Sequence, residues 1–521
     1  MTFSKWFSLL ATLSTVVVVD ADLFTSVHEM ENLAHYEQRL LEHLQSYLLN
    51  QQIKLDFITQ KYDELSNRRV DNTPQNNLGN PITAFALVKR LVRDWPLVLN
   101  LLVENYVPPN HLTQLPREKE LESALRGLAR LKDVYSLSAT QLANGMIGDM
   151  HDQTIMTASD CYDMGKYSYE RMQYYTSISW FNEATKKIQN GDKTVQQEKV
   201  LAHMFLASSF AGCLVPNQTF NSNRLLQQLL SDFPNFTLSH ELSRDYKEAW
   251  VKNCTWIREV NKKYFDEDNN KYDMIYKKMC RRDFNMTTSG LRCYYVHYGN
   301  PRLLIAPFKL EEIHLDPPLI VFHDVISNHE IEKIKSNFLK NWKHCNTSSS
   351  YTSTVTTYRT CESAKVTDKD PTSAQLSRRV CDMTDLSIDT SEENQVACYG
   401  LGGEFKLHYD LTNESLSEVN HEGNRLATLM FYLSDVESGG YTVFPELHKA
   451  VTPRKGTALF WFNMDAQGKR LGKMIHGGCP VLQGTKLVLN KWIHEGNQDF
   501  EKLCPSDRNF PKRQFYLNTK R

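Results

Sequence analysis

Two side chains able to bind a metal stand one residue apart in the stretch Tyr399 to Asn413, YGLGGEFKLHYDLTN: His408 and Asp410. On an extended strand alternate side chains share a face, with Cα atoms about 6 to 7 Å apart, so an imidazole and a carboxylate at this spacing can hold one ion. A third ligand must come from another strand, and the stretch MIHGGCPVLQGTKLVLNKWIHE offers His476, with His494 as its rival. Two histidines and one carboxylate on one side of a metal leave the opposite positions open, the facial triad of non-haem Fe(II) oxygenases. With 17 histidines a second H-x-D occurs, His314-Leu315-Asp316. It lies ahead of Pro317-Pro318, and because proline cannot donate to a ladder this copy reads as accidental. Lys486, Val488, Asn490 and Trp492 alternate along one strand face. If Trp492 points into a barrel, Lys486 does too, and a buried ammonium needs an anion.

The elements that would position these residues follow from periodicity. Past residue 300 the pattern has period two: LATLMFYL (426 to 433), GGYTVF (439 to 444), TALFWFN (457 to 463) and TKLVLNKW (485 to 492) are aromatic and β-branched runs separated by Gly, Pro and Asn. They predict an all-β sandwich or jelly roll. Ser348 to Ser353, followed by the charged Thr367 to Thr372, reads as a mobile loop suited to a lid.

Upstream the chain reads as helical. Ser26-Val27-His28-Glu29 is a capping box that starts a helix. From there a seven-residue pattern sets Leu41, Leu48, Leu55 and Tyr62 on one seam position and Leu44, Ile58 and Leu65 on the other, with Gln51 the polar intruder. Such a seam wants a partner helix, either in a second copy of the chain or among its own later helices. Pro81 opens a further helix with a kink expected at Pro96, and Leu121, Leu125, Leu128, Leu131 and Tyr135 mark a third. From Ser159, a candidate N-cap, to about residue 250 the text becomes paired helices dense in tyrosine, including Tyr162, Tyr167, Tyr169, Tyr174 and Tyr175. Helix-turn-helix repeats have this character, and tyrosine there is either core or a stacking surface for proline rings.

At 521 residues the chain implies several domains, and Lys+Arg 60 against Asp+Glu 61 leaves no field to hold nucleic acid or an anionic membrane. Lys5, an uncharged run from Trp6 to Val19 and Val19-Asp20-Ala21, which fits the small-residue rule for cleavage after Ala21, predict a secretory signal over residues 1 to 21. That run is short for a membrane span, and no later segment approaches the required length. Six Asn-x-Ser/Thr triplets, at Asn217, Asn235, Asn253, Asn285, Asn346 and Asn413, agree with a secretory route. Eleven cysteines in an oxidising lumen predict disulfides and, the number being odd, at least one other thiol. Short-range candidates are Cys280 with Cys293 and Cys479 with Cys504; spacing alone fixes no connectivity.

The phrases VACYGLGGEF, RLATLMFYLSDVESGGYTVFPE, KGTALFWFN and HGGCPVLQGTKLVLNKWIHE, with the H-x-D, resemble the catalytic domain of collagen prolyl 4-hydroxylase α subunits. DLFTSVHEMENL resembles that family's dimerising N-terminus, and TASDCYDMGKYSYERMQYYTSISWF its peptide-substrate domain. The resemblance implies a multidomain α + β chain. Its parts would be a signal (1 to 21), a helical dimerisation region (22 to 150), a TPR-like peptide-binding domain (151 to 255), a disulfide-bearing linker (256 to 300) and a double-stranded β-helix dioxygenase (301 to 521). It implies that His408, Asp410 and His476 hold Fe(II), that Lys486 pairs with the distal carboxylate of 2-oxoglutarate, and that Tyr399, Thr428 and Trp492 line that pocket. Tyr162, Tyr167, Tyr174 and Tyr175 would touch a polyproline II peptide, and the two cysteine pairings above would be intrachain disulfides.

The implied activity is hydroxylation of proline at C4 with O2 and 2-oxoglutarate, releasing succinate and CO2, with ascorbate as a cofactor. The implied assembly is α2β2 with protein disulfide isomerase in the endoplasmic reticulum, retained through that partner because this chain ends YLNTKR. Two features depart from the family pattern. Ile475 precedes His476 where arginine is usual, which leaves the ligands intact. LAHMFLASSF carries Phe205 and Phe210 where tyrosine is usual, which points away from standard collagen repeats as substrate. The alternatives are a hydroxylase of another residue or position, whose members usually anchor the cosubstrate with arginine, and a peptide-binding chaperone subunit with a silent iron domain.

Overall fold

The structure is a computed structural model that describes residues 27–67, 79–102, 115–147, 150–151, 154–214, 222–234, 267–285, 290–338, 343–345, 360–411 and 422–498. The signal region, the Ser348 to Ser353 loop, Cys504 and the C-terminal YLNTKR lie outside them. The chain divides into two compact units, residues 1–74 with 87–122, and residues 75–86 with 123–521.

In the first unit, the helix Val27–Asn67 begins where the capping box sets it. Its seam residues Leu41, Leu44, Leu48, Leu55 and Tyr62 are all at least half exposed, while Ile58 and Leu65 are partly covered. Helical backbone also runs from Pro81 to Leu102, and its irregularity is a single π turn at Arg90–Asp94, just before Pro96. Proline lacks an N–H, so the turn around it rearranges. The helix Glu118–Val134 carries the expected apolar stripe, with Leu121, Leu125, Leu128 and Leu131 buried. A small ladder, β1 (Met146–Ile147) with β2 (Met150–His151), interrupts the helical text.

Helices Ala158–Glu170, Tyr174–Gln189, Gln197–Leu214 and Ser222–Asp232 follow. The cap of the first is Thr157, in a capping box with Asp160, rather than Ser159. Trp180, Phe181 and Phe205 fill the interior completely. A Cβ at Gly165 would sit 2.5 Å from the Phe181 ring, so only glycine lets the first two helices close on each other.

The C-terminal region pairs all its named strands antiparallel, with one isolated parallel bridge from Leu401 to Val481. Its large sheet uses β3 (Cys293–Val296), β4 (Phe308–Leu315), β5 (Pro318–His323), β6 (Lys343–His344), β7 (Glu362–Val366), β8 (Asn394–Tyr399), β10 (Arg425–Tyr432), β14 (Ala458–Phe462) and β17 (Lys486–His494). Their order is β3-β4-β5-β14-β10-β17-β8-β7-β6. A facing sheet runs β13 (Lys449–Val451), β12 (Thr442–Phe444), β15 (His476–Gly478), β9 (Phe405–His408), with β11 (Ser438–Gly439) paired to β16 (Val481–Gln483). This is the jelly-roll arrangement.

Alternation assigns each face. Ala427, Leu429, Phe431, Phe460, Phe462 and Leu489 join a core with the helices Asn328–Phe338 and Pro371–Thr384, through Ile331, Ile334, Leu376 and Val380. Met430, Tyr432, Trp461 and Val488 face the smaller sheet. Burial on both faces is why these strands read as unbroken apolar runs. The end of the charged Thr367 to Thr372 segment is the start of the second helix: Asp370 caps it and Pro371 opens it.

Candidate metal centre

His408 ends β9 and His476 begins β15, and the two strands pair with these residues directly opposite. The imidazole centroids are 4.4 Å apart. Asp410 follows the strand end and returns between them, with Oδ1 3.5 Å from His408 Nε2 and Oδ2 3.6 Å from His476 Nε2. One ligand atom from each residue falls within 4.8 Å of the others, and these are the one such cluster among the described residues.

The surroundings prepare these atoms for a cation. His408 Nδ1 donates to the Lys406 carbonyl at 2.7 Å and His476 Nδ1 to the Met474 carbonyl at 3.0 Å. Both rings are thereby held in the tautomer that leaves Nε2 a lone pair for metal. Burial raises the Asp410 pKa, but the neighbouring His476 and His408 imidazoles, with the Arg425 charge, outweigh it and hold the carboxyl below its usual range, so it is ionised. Burial, aided by His408, pushes His476 down to about 4, so it is neutral near pH 7. Thr428 donates to Asp410 Oδ2 at 2.9 Å and itself accepts from Asn463 Nδ2 at 3.0 Å. This donor set, with fixed tautomers and an ionised carboxylate, fits a divalent ion of the Fe(II) type.

A cavity beside the triad is lined by Tyr399, Met430, Thr442, Trp461, Lys486, Asn490 and Trp492, among others. Lys486 is 4% exposed, and burial pushes its ammonium down to about 7. Its Nζ donates to Thr442 Oγ1 at 3.2 Å, and Thr442 shares a 2.8 Å hydrogen bond with the Tyr432 hydroxyl. No carboxylate faces Lys486 in these contacts, so the site suits the acid group of a ligand. Two further donors, Trp461 Nε1 and Trp492 Nε1, are buried without a partner among the described residues.

Thr428 differs from its expected place: it does not line the cavity but holds Asp410 from behind. Thr442 and Asn463 were not singled out in the sequence. Thr442 and Asn463 sit on or beside other strands, where only register shows what they reach. His494 is no ligand, since its Nε2 lies 3.3 Å from Glu392. The first two residues of the second H-x-D are in a paired strand after all: β4 and β5 register His314 against Leu319 and Leu315 against Pro318, with Asp316 in the turn between. The His314 imidazole is instead engaged at 2.7 Å with the Pro317 carbonyl.

The tyrosines separate. Tyr162 approaches His203 Nδ1 at 3.3 Å, and Tyr174 packs on Phe210 and Tyr169 at centroid distances of 5.5 and 5.9 Å. They form one aromatic face with His203, whose pKa burial lowers. Tyr167 is turned elsewhere under the Arg171 guanidinium, 3.6 Å above its ring, and Tyr175 is exposed. Phe210 thus belongs to that face, whereas Phe205 is interior.

The expected disulfides require correction. Cys280 is bonded to Cys479, with Cα atoms 5.5 Å apart, and Cys345 to Cys361. The helix Glu267–Arg281 packs Tyr276, Met279 and Cys280 on the outer face of the small sheet, which brings Cys280 to Cys479. Cys293 lies on β3, at the far edge of the large sheet, as an exposed thiol.

A double-stranded β-helix with a His-Asp-His cluster and a buried lysine defines the Fe(II) and 2-oxoglutarate class of oxygenases. Consistent with this, residues 394–494 match the 2OG-Fe(II) oxygenase superfamily, residues 26–149 the prolyl 4-hydroxylase alpha-subunit N-terminal region, and residues 158–225 the prolyl 4-hydroxylase peptide-substrate-binding domain. The chain is 33% identical over 519 residues to prolyl 4-hydroxylase subunit alpha-2 of Gallus gallus, covering 93% of this chain and 95% of that one. It is 32% identical to subunit alpha-1 of Homo sapiens, covering 92% and 95%. It therefore belongs to the prolyl 4-hydroxylase α-subunit family. Among solved structures, the viral collagen prolyl hydroxylase of Paramecium Bursaria Chlorella virus-1 aligns at 24% identity and a TM-score of 0.27, over 34% of this chain and 95% of that one.

Proposed function

We propose that this chain hydroxylates peptidyl proline at C4, using Fe(II) held by His408, Asp410 and His476 and 2-oxoglutarate anchored at Lys486. The observation that carries this reading is the triad beside a buried lysine, within a chain similar to prolyl 4-hydroxylase α subunits over nearly its whole length. When bound, the ferrous ion, 2-oxoglutarate and O2 would supply the oxidative chemistry: 2-oxoglutarate is decarboxylated to succinate and CO2, one oxygen atom of O2 entering succinate and the other the substrate carbon. The protein's own residues bind and orient. Lys486 and Thr442 present donors to the distal carboxylate, Tyr399 and Trp492 wall the cavity, and Thr428 with Asn463 fixes the Asp410 carboxylate. Phe405 stacks on His408 at 3.6 Å and Phe444 on His476 at 5.4 Å, which excludes water from the ligands' flanks. Tyr162, with Tyr169, His203 and Phe210, offers a stacking face for a proline-rich peptide, backed by the buried Tyr174; the buried Tyr167 and the exposed Tyr175 are placed for lesser parts.

The working enzyme, on the same reading, is an α2β2 assembly with protein disulfide isomerase in the lumen of the endoplasmic reticulum, using ascorbate. The exposed seam on Val27–Asn67 supports pairing between two copies of the chain. No helix among the described residues is long and apolar enough to cross a membrane. The test is co-expression with disulfide isomerase, addition of (Pro-Pro-Gly)n, and measurement of succinate and 4-hydroxyproline for the wild type and His408→Ala. Stoichiometric products in the wild type alone are expected. Peptide binding without product supports a chaperone subunit instead, and oxygen at another atom supports a different hydroxylase.

A further inference from the structure

The small sheet has two faces. His408, Thr442, Phe444 and His476 point inward, while Leu407, Val443, Ala450 and Cys479 point outward. The outward face is covered by helices that precede the oxygenase fold in sequence, through Val134 of Glu118–Val134 and through Tyr276, Met279 and Cys280 of Glu267–Arg281. At the end of this interface near β9 lies a buried polar group of three. Arg130 Nε is 2.8 Å from Glu404 Oε1, with both side chains almost fully buried, and the guanidinium also donates to the Gly402 carbonyl. The Tyr276 hydroxyl lies 3.2 Å from Glu404 Oε2 and 3.0 Å from the Gly478 carbonyl. Burial and the Glu404 charge raise the phenol pKa well above its usual value, so it keeps its one proton, which lies within reach of both acceptors.

Glu404 immediately precedes β9, which ends in His408, and Gly478 ends β15, which begins with His476. The ladder between these strands has only two registered pairs, His476 with His408 and Gly478 with Phe405, and the register shifts between them. So short a ladder fixes the strands' separation weakly, and two imidazoles that share an ion tolerate little relative movement. The backbone has room for this support. A Cβ on Gly402 would lie 2.9 Å from Gly127 Cα, so glycine permits the helix to approach.

We propose that Arg130, Glu404 and Tyr276 act as a positioning clamp. They join the two histidine-bearing strands from outside and make the preceding helices part of the metal centre's geometry. The inference rests on reading His408, Asp410 and His476 as metal ligands, and its test uses the full chain with Co(II) in place of Fe(II). Tyr276→Phe removes one hydroxyl and no bulk. Tyr298→Phe, which loses a 3.0 Å hydrogen bond to the Met383 carbonyl of the helix Pro371–Thr384, is the control for a merely structural loss. Expected is a roughly tenfold fall in Co(II) affinity for Tyr276→Phe, with a changed d–d spectrum, and neither effect for Tyr298→Phe. If Tyr276→Phe does not fold, Glu404→Gln is read in the same way. Co(II) affinity and spectrum equal to those of the wild type overturn the clamp alone, while a wild type that binds no Co(II) overturns the metal assignment and the clamp together.

Discussion

The buried Lys486 makes cosubstrate binding a proton-linked event. With burial holding its pKa at about 7 in the absence of a ligand, about half the molecules carry the charge at pH 7 and about one in eleven at pH 8. A carboxylate seated against Nζ favours the charged form, so the pKa rises when 2-oxoglutarate binds. The sign follows: affinity is greatest below pH 7 and falls as pH climbs through and above it, because the lysine must take up a proton to bind. The cost is about 1.4 kcal/mol at pH 8, a tenfold weaker dissociation constant, and about a hundredfold at pH 9. The assay is calorimetric titration of 2-oxoglutarate into Mn(II)-loaded protein from pH 6 to 9, in buffers of different ionisation enthalpy. Proton uptake is expected to rise from about 0.1 at pH 6 to about 0.9 at pH 8. Lys486→Met is expected to abolish the uptake and weaken binding by about 2 to 5 kcal/mol. Constant affinity across this range with no uptake refutes the reasoning.

Three further outcomes are expected. Thr428→Val keeps the shape but removes the donor to Asp410 and strands the Asn463 amide, so metal affinity measured by competition with a chelator falls roughly 10- to 100-fold. Gly402→Ala forces a Cβ against Gly127 at a φ of +66°, and destabilises the chain by about 1 to 3 kcal/mol in urea unfolding; unchanged stability would contradict the close approach. Non-reducing peptide mapping recovers Cys280 joined to Cys479, and a Cys280–Cys293 peptide would overturn that connection.

The readable parts of this molecule were those governed by short-range pattern. Two-sided burial makes β10, β14 and β17 continuous apolar runs, and the alternation of Lys486, Val488, Asn490 and Trp492 placed the lysine in the cavity with the tryptophan. His408 and Asp410 stood out because their spacing is local. What escaped was set by register and by contacts across long stretches of chain. Nothing near Thr428 says that Asp410 and Asn463 lie on either side of its hydroxyl. Gly402, in the YGLGG stretch ahead of β9, answers to a helix 272 residues upstream through Arg130. Cys280 seemed suited to Cys293 by proximity in sequence, and its true neighbour is 199 residues away because a helix packs on a sheet. The proline after the second H-x-D misled in the opposite direction: Pro318 occupies the first position of a strand, where a missing donor is tolerated.

The covering of the small sheet sets where the molecule can be divided. A fragment cut to begin at residue 301 would keep every ligand, yet it would bare Leu407, Val443 and Ala450 to water and leave Cys479 without its bonded sulfur. Such a piece carries a greasy flank and a reactive thiol three residues from His476, two incentives to self-associate. Its natural edge in space therefore takes in residues far ahead of its first strand, and the hydroxylase half of this chain is inherited together with part of its helical half.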